Sequence, residues 1–201
     1  MWAAVAILLV AADPDALRCQ QKIDEIESYR AKPGAVYVFT SRELNAYASA
    51  EVPNVVPQGV RDPRLELGTN SGMGFAYVDF LKMQHAQGTK PNWLVAKLIE
   101  GERPLRVFLD VQSGGGRATV RLQRVEISGV AASGTVLTFL IDTFFRPLYP
   151  NAKINQPFEI GYNVDRVEVR PEAARVFIFP GGRFRKGPPV ARGRPSGAPP
   201  R

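Results

Sequence analysis

Cysteine and histidine are almost missing from this chain, with one of each in 201 residues. Cys19 alone cannot form an intramolecular disulfide, and His85 alone cannot supply a site that needs two imidazoles. No Ser-His-Asp, Cys-His or multi-histidine constellation is recognisable. Leu17 and Arg18 precede Cys19, where a lipid-acceptor cysteine wants a small residue immediately upstream. Both Cys19 and His85 therefore read as structural. A long apolar run is also missing. Residues 2–12 are unbroken apolar, but eleven helical residues reach only ~16 Å against a hydrocarbon core of ~30 Å. No stable membrane span is expected.

Charge of one sign is scarce where it would matter most. The formal charge of +7 is a property of the C-terminus. Arg183, Arg185, Lys186, Arg192, Arg194 and Arg201 are all the ionisable residues after position 180, leaving 20 basic against 19 acidic residues before it. The body therefore offers no electrostatic footing for specific nucleic acid binding. Residues 181–201 combine Gly, Pro and Arg without apolar periodicity and read as a disordered basic tail. It is suited to an anionic polymer or headgroup surface. A cytosolic nucleic-acid binder acting through this tail would require an uncleaved N-terminus.

The apolar N-terminus ends in Val10-Ala11-Ala12, followed at once by Asp13-Pro14. Small residues at the last and third-last positions before a polar break have the form of a signal-peptidase site, although no Lys or Arg precedes the run. The expected organisation is a signal-like segment at 1–12, one α+β domain at 13–180 and the tail at 181–201. The expected compartment is periplasmic or secreted.

Within the domain, Ala16, Cys19, Ile23 and Ile26 recur at helical spacing, which predicts an amphipathic helix over 13–30 stopped by Lys32-Pro33-Gly34. Residues 35–39 read as a strand. Thr40-Ser41-Arg42-Glu43 has the form of a capping box, and the helix it opens is expected to bury Leu44, Tyr47 and Ala48 and to end at Pro53. Hairpins follow at 64–68 with 73–81, at 105–112 with 117–128, and at 158–169 with 174–179. A short helix is expected over 91–100 and an apolar one over 134–148. In the middle hairpin a four-residue loop, Ser113 to Gly116, pairs Val111 with Ala118, Leu109 with Val120 and Val107 with Leu122. The apolar phase then flips to Val125 and Ile127, which predicts a β-bulge near Gln123 and Arg124. In the last hairpin Val169 lies opposite Ala174 and Val167 opposite Val176. The fold class is thus α+β: a curved antiparallel sheet of three hairpins plus an N-terminal strand, wrapped around an apolar helix.

Two features exceed what a plain core needs. Gly74, Ala76, Val78 and Phe80 share a face with Leu65 and Leu67, yet the opposite face of that strand carries Met73, Phe75 and Tyr77. A strand apolar on both sides must be covered twice or must offer one side to a ligand or partner. The helix at 13–30 is one candidate cover. In the helix at 134–148, Val136, Leu137, Leu140, Ile141, Phe144 and Phe145 span about half the circumference, either as a helix held inside the sheet or as the wall of a cavity. Asp142 and Arg146 stand at i,i+4 on the polar side. Phe139 sits among those polar residues as a candidate partner contact. Met73, Phe75, Tyr77, Leu137, Leu140, Ile141, Phe144 and Phe145 are the candidate contacts for an apolar ligand.

Catalytic residues are not indicated. The glycine run before Arg117 lacks the Lys-Ser/Thr and following helix of a phosphate loop. Asp62, Glu66, Asp79, Asp110 and Asp165 share no spacing that marks an acid-base pair. No metal or cofactor is implied.

The stretch Phe39-Thr40-Ser41-Arg42-Glu43-Leu44-Asn45-Ala46-Tyr47, the following Gly59-Val60 and hairpin, and Pro157-Phe158-Glu159-Ile160 leading into Val167-Glu168-Val169 resemble a group of uncharacterised exported bacterial proteins. These share a Glu-Leu-Asn helix after the first strand. More distantly the pattern is similar to tubular lipid-binding envelope proteins with curved sheets. The resemblance covers most of 36–179 and implies a fold and a compartment, with Glu43 as helix cap and Asn45 bonding nearby backbone. With the residue reading, it leads to a non-enzymatic envelope protein binding an apolar ligand such as lipid. The alternative is a ligand-free interaction module of the envelope.

Overall fold

The computed structural model describes residues 13–55, 59–80, 82, 100–142, 146 and 153–181. The chain is α+β with antiparallel sheets. Its elements are α1 (Pro14–Glu27), β1 (Val36–Thr40), α2 (Ser41–Val55), β2 (Val60–Gly68), β3 (Ser71–Asp79), β4 (Glu102–Gly114), β5 (Arg117–Ile127), β6 (Val130–Ala131), α3 (Gly134–Leu140), β7 (Pro157–Glu159), β8 (Val164–Arg170) and β9 (Ala173–Ile178). The signal-like segment, the expected helix at 91–100 up to its last residue, Phe144, Phe145 and nearly all of the tail lie outside the described residues. No helix among those described is long and apolar enough to cross a membrane.

The strands form two sheets rather than the single one expected. β1, β9 and β8 make a three-stranded sheet, while β2 to β6 run in sequence order with β7 pairing β5. The expected strand at 158–169 is divided between them. Gly161, Tyr162 and Asn163 all take positive φ (82°, 50° and 57°), which breaks the pleat, so β7 belongs to one sheet and β8 to the other.

Local signals explain most elements. Asp13 caps α1 by accepting from the Asp15 amide at 2.8 Å, with Pro14 in the first turn, where a missing amide costs nothing. The capping box closes in both directions. The Glu43 amide donates to Thr40 Oγ1 at 3.2 Å, and the Thr40 amide donates to Glu43 Oε2 at 3.0 Å. α2 continues through Pro53 to Val55 instead of ending there. Proline forfeits a single amide in the last turn, and Asn54 Nδ2 donates to the Ala50 carbonyl at 3.1 Å across the same turn.

The hairpins keep their faces but not all their turns. Gly115 and Gly116 have φ of 61° and 78°, the conformation of a two-residue type I′ turn. Strand pairing therefore begins at Gly114 with Arg117, so that Val111 meets Val120, Leu109 meets Leu122 and Val107 meets Val125. The register is two residues from the one expected, and two residues restore the same face. The bulge falls where the phase flip put it. Phe108 pairs with Arg124 and Leu109 with Leu122, leaving Gln123 as the extra residue. The first hairpin likewise turns on two residues, Thr69 and Asn70, with Leu65 opposite Gly74 and Leu67 opposite Gly72. The last pairs Val169 with Ala174 and Val167 with Val176 as expected.

Two clusters form the core. In the first, α1 and α2 cover the inner face of the small sheet, burying Cys19, Ile26, Phe39, Val164 and Ile178, with Leu44 and Tyr47 packed against them. In the second, α3 lies on the inner face of the large sheet. There Phe80, Ile127 and Leu140 are buried with Val78 and Val125. Phe80 is 2% and Ile127 0% exposed, each such burial being worth roughly 1.5–3 kcal/mol. α1 therefore covers the small sheet, not the Met73, Phe75 and Tyr77 face. α3 as an α-helix ends at Leu140, and a wider turn follows in which the Arg146 amide donates to the Ile141 carbonyl at 2.8 Å. The Asp142–Arg146 pair is present at 3.2 Å.

Among the described residues, side chains and a turn meet three of the strand edges, those of β1, β2 and β8. Lys22 Nζ donates to the Val38 carbonyl of β1 at 2.6 Å and to both oxygens of Glu43 at 2.8 Å. Asn45 works as a one-residue strand on the edge of β2. Its Nδ2 donates to the Leu65 carbonyl and its Oδ1 accepts from the Leu65 amide, both at 2.8 Å. Ser113 Oγ donates to the Val167 carbonyl and accepts from its amide, both at 2.7 Å, and Asn70 N–H donates to Val169 O at 2.9 Å. Blocked edges protect sheets from pairing with other chains.

Glu43 is 5% exposed. Burial alone would raise its pKa, but the Lys22 ammonium and the Thr40 amide outweigh that and hold the carboxyl below its ordinary value of 4.5. A carboxylate with a lowered folded pKa contributes stability that is present above about pH 4.5 and lost as pH falls through the folded value. Glu43→Gln is expected to cost roughly 2–4 kcal/mol near pH 7. The loss should shrink as pH falls through the lowered folded pKa, below 4.5, where the wild-type group itself takes up a proton. Asn45→Ala is expected to cost roughly 1–3 kcal/mol and to speed hydrogen exchange at the Leu65 amide. Thermal unfolding against pH and amide exchange check both.

Candidate functional site

Where the two sheets meet, they leave a partly open cavity of about 370 Å³. Its walls come from two chain reversals and the end of a strand. The Gly115–Gly116 turn arrives from the large sheet, held to β8 by the Gly115 amide donating to Asp165 Oδ1 at 3.2 Å and the Gly116 amide to the Asp165 carbonyl at 2.7 Å. The left-handed run Gly161, Tyr162, Asn163 carries the chain from β7 back into β8. The third wall is the exit of β9, through Phe179, Pro180 and Gly181. Phe179 donates its amide to the Asn163 carbonyl at 2.9 Å, and its own carbonyl accepts from Gly34 at 3.2 Å.

Glycine is required at one of these walls by space as well as by φ. A Cβ on Gly116 would lie 3.2 Å from Cε2 of the Phe179 ring. Aromatic ring and bare backbone are thus in direct contact, and the lining is mainly apolar: Val164, Phe179, Pro180 and the glycine Cα atoms. Arg117 and Glu159, paired across β5 and β7, supply opposite charges at the exposed side. Asn163 also lines the cavity, with its Oδ1 buried and without a hydrogen-bond partner. An unpaired buried acceptor of this kind costs roughly 1–3 kcal/mol, and it coincides with the left-handed run.

The residues singled out from sequence fall in two other places. Leu137 and Leu140 pack into the core of the large sheet on its inner face, and Ile141 continues from α3 at partial burial. Phe139 is half-buried against that same cluster rather than standing on a free polar side. Met73, Phe75 and Tyr77 are partly buried on the outer face. The pleat separates these two sets, so one pocket cannot hold both. What covers the outer face is arginine. Arg61 stacks over Tyr77 at 4.2 Å and Arg124 over Phe108 at 4.4 Å, while Phe75 and Tyr77 meet edge-on at 5.2 Å. Arg61 is also clamped by Glu102 through Nε and Nη2 at 2.8 and 2.6 Å. A shallow groove of about 560 Å³ runs over Met73, Phe108 and Arg124 on this face. Neither it nor the junction cavity is lined by Phe75 or Leu137.

Sequence reasoning missed the junction cavity. Gly115 and Gly116 were identifiable as a turn, but their contact with Phe179 lies 63 positions away and carries no local signal. Gly161-Tyr162-Asn163 was the readable clue, since Gly and Asn accept positive φ most easily.

Cys19 is fully buried under the α1–α2 pair, and its thiol is pushed up to about 11 by burial and then by the Glu43 charge. Among the described residues no three His, Cys, Asp or Glu side chains gather as a metal site would need. No family model matches the chain, and no curated protein or solved structure matches it. Native Cys19 is expected to react with a disulfide reagent at pH 8 at least ~100-fold more slowly than in the urea-unfolded chain, because thiolate and access are both withheld. Stopped-flow or manual thiol titration checks this.

Proposed function

We propose that this protein is a non-enzymatic, exported envelope protein that holds an apolar group in the junction cavity. The observation that carries the reading is the cavity itself. Its 370 Å³ sits at the low end of the roughly 300–1,000 Å³ typical of ligand sites, and its lining joins an aromatic ring to bare backbone. A single acyl-chain end or an aromatic ring suits that size better than a whole diacyl lipid. Export is supported by Val10-Ala11-Ala12 before Asp13-Pro14, and the cationic residues beyond Gly181 suit anionic headgroups or polymer around such a ligand.

The proposal also moves the ligand away from the helix–sheet interface, where Leu137 and Leu140 pack into the core. Gly181 lines the cavity and has nothing within 4 Å of an added Cβ, so Gly181→Leu places apolar bulk at the cavity wall where its first carbon is accommodated. Native mass spectrometry of the purified chain, with organic extraction, should find a bound apolar molecule. Gly181→Leu should lower its occupancy at least ~5-fold at unchanged melting temperature. Phe75→Ala should leave occupancy unchanged. A wild-type chain carrying nothing, with no uptake from fatty acid or detergent added in excess, rejects the proposal.

A further inference from the structure

The outer face of β2, β3, β4 and β5 carries a charge pattern that complements itself. Register places its side chains in rows. One row reads Glu66, Met73, Phe108, Arg124 from the β2 margin to the β5 margin, and the next reads Arg64, Phe75, Arg106, Glu126. Met73, Phe75 and Phe108 thus occupy the middle beside Arg106, and each row ends in charges arranged in opposite order to its neighbour. Most charges on this face are already paired within the chain: Arg61 with Glu102, and Glu126 with Arg106 and Arg124. Arg64 and Glu66 on β2 are exposed and, among the described residues, make no ion pair; Asp110 and Arg121, opposite each other in the row beyond Glu66, make none either.

We propose that this face docks a second copy of the same chain, related by a two-fold axis lying in the interface parallel to the strands. That rotation keeps the rows and exchanges the margins. Glu66 of one copy then lies over Arg124 of the other, Arg64 over Glu126, and Met73 over Phe108. The unpaired charges on β2 gain partners, and Arg106 comes over the ring of Phe75. Any charged foreign surface would have to match a checkerboard of both signs; an identical copy does so by symmetry. An apolar centre of Met, Phe and Tyr inside a rim of Arg and Glu is also the composition of specific interfaces.

Size sets the strength. Four strands about 4.8 Å apart, with residues rising about 3.3 Å along the nine of β3, cover ~550 Å² per copy, or ~1,100 Å² in all. That is just above the ~1,000 Å² a specific interface needs, which places the dimer among the small, concentration-dependent ones.

Two double variants of unchanged net charge test the pairing. Arg64→Glu with Glu66→Arg inverts the β2 margin; Arg124→Glu with Glu126→Arg inverts the β5 margin. Sedimentation velocity on the full chain should find wild type in a concentration-dependent monomer–dimer equilibrium. Each variant alone should be at least ~10-fold weaker, because like charges now meet at both ends of every row. Mixed in equal amounts, the two variants should recover dimers near wild-type strength, since each inverted margin finds the complementary one. Circular dichroism of each variant separates loss of dimer from loss of fold, and the mixture provides a second safeguard, as misfolded chains would not rescue each other. A wild type that stays monomeric to ~0.5 mM overturns the proposal. So does a pair of folded variants that dimerise like wild type, or that fail to recover on mixing.

Discussion

The buried carboxylate of Glu43 is the point at which the two helices and the first strand of the small sheet are joined. It accepts from the Thr40 amide at the start of α2 and from Lys22 of α1, and Lys22 in turn closes the Val38 carbonyl on the edge of β1. A charge at 5% exposure is tolerable only because its lone pairs are used and a cation is in contact. Two residues on, Asn45 leaves the same helix to pair with Leu65 on the edge of β2. Leu44, between them, goes into the core of the small sheet. The Glu-Leu-Asn sequence is therefore architectural. It ties the helices of the small sheet to the edge of β2 in the large one, while Ser113, Asn70 and the Gly115–Gly116 turn join the large sheet to β8 directly.

That placement has a consequence for the interior. Helices fill the inner faces of both sheets, so the space between α3 and the large sheet is occupied by Phe80, Ile127 and Leu140. Empty volume is displaced to the seam, where turns rather than regular elements meet and side chains are small. Turns cannot interdigitate as a helix does on a sheet, and glycine at Gly115, Gly116 and Gly161 leaves room that a side chain would fill. The apolar outer face of β3 is handled differently. Guanidinium groups sit over Tyr77, Phe108 and, on the small sheet, Phe177 at 3.7 Å, shielding the rings while keeping charge in water.

Local and period-based signals were legible. The capping box, the amphipathic stripe of α1, the facing of each strand and the bulge at Gln123 follow from spacing alone, because the side-chain periods of 3.6 and 2 leave direct marks. The register of β4 on β5 was two residues off for one reason: a run of three glycines permits both a four-residue and a two-residue turn, and the faces are identical in either. Pro53 illustrates the converse, a strong local signal overridden because only one hydrogen bond was at stake. Splitting of the strand at 158–169 rests on three consecutive positive φ values, of which only Gly161 and Asn163 could have been guessed.

By itself the sequence determined the class of the fold, the lack of cysteine pairs and multi-histidine sites, the face each strand presents to the core, and the near-neutral body beside a cationic C-terminus. These are properties of composition and of neighbours within a few residues, where bond geometry dictates direction. Tertiary structure alone decided that there are two sheets, that Asn45 and Ser113 close strand edges from 20 and 54 positions away, and that the cavity lies beside Phe179. Such contacts join segments whose separation along the chain leaves no periodic trace. They arise because every buried amide and carbonyl must find a partner, and the partner is chosen by packing rather than by sequence proximity.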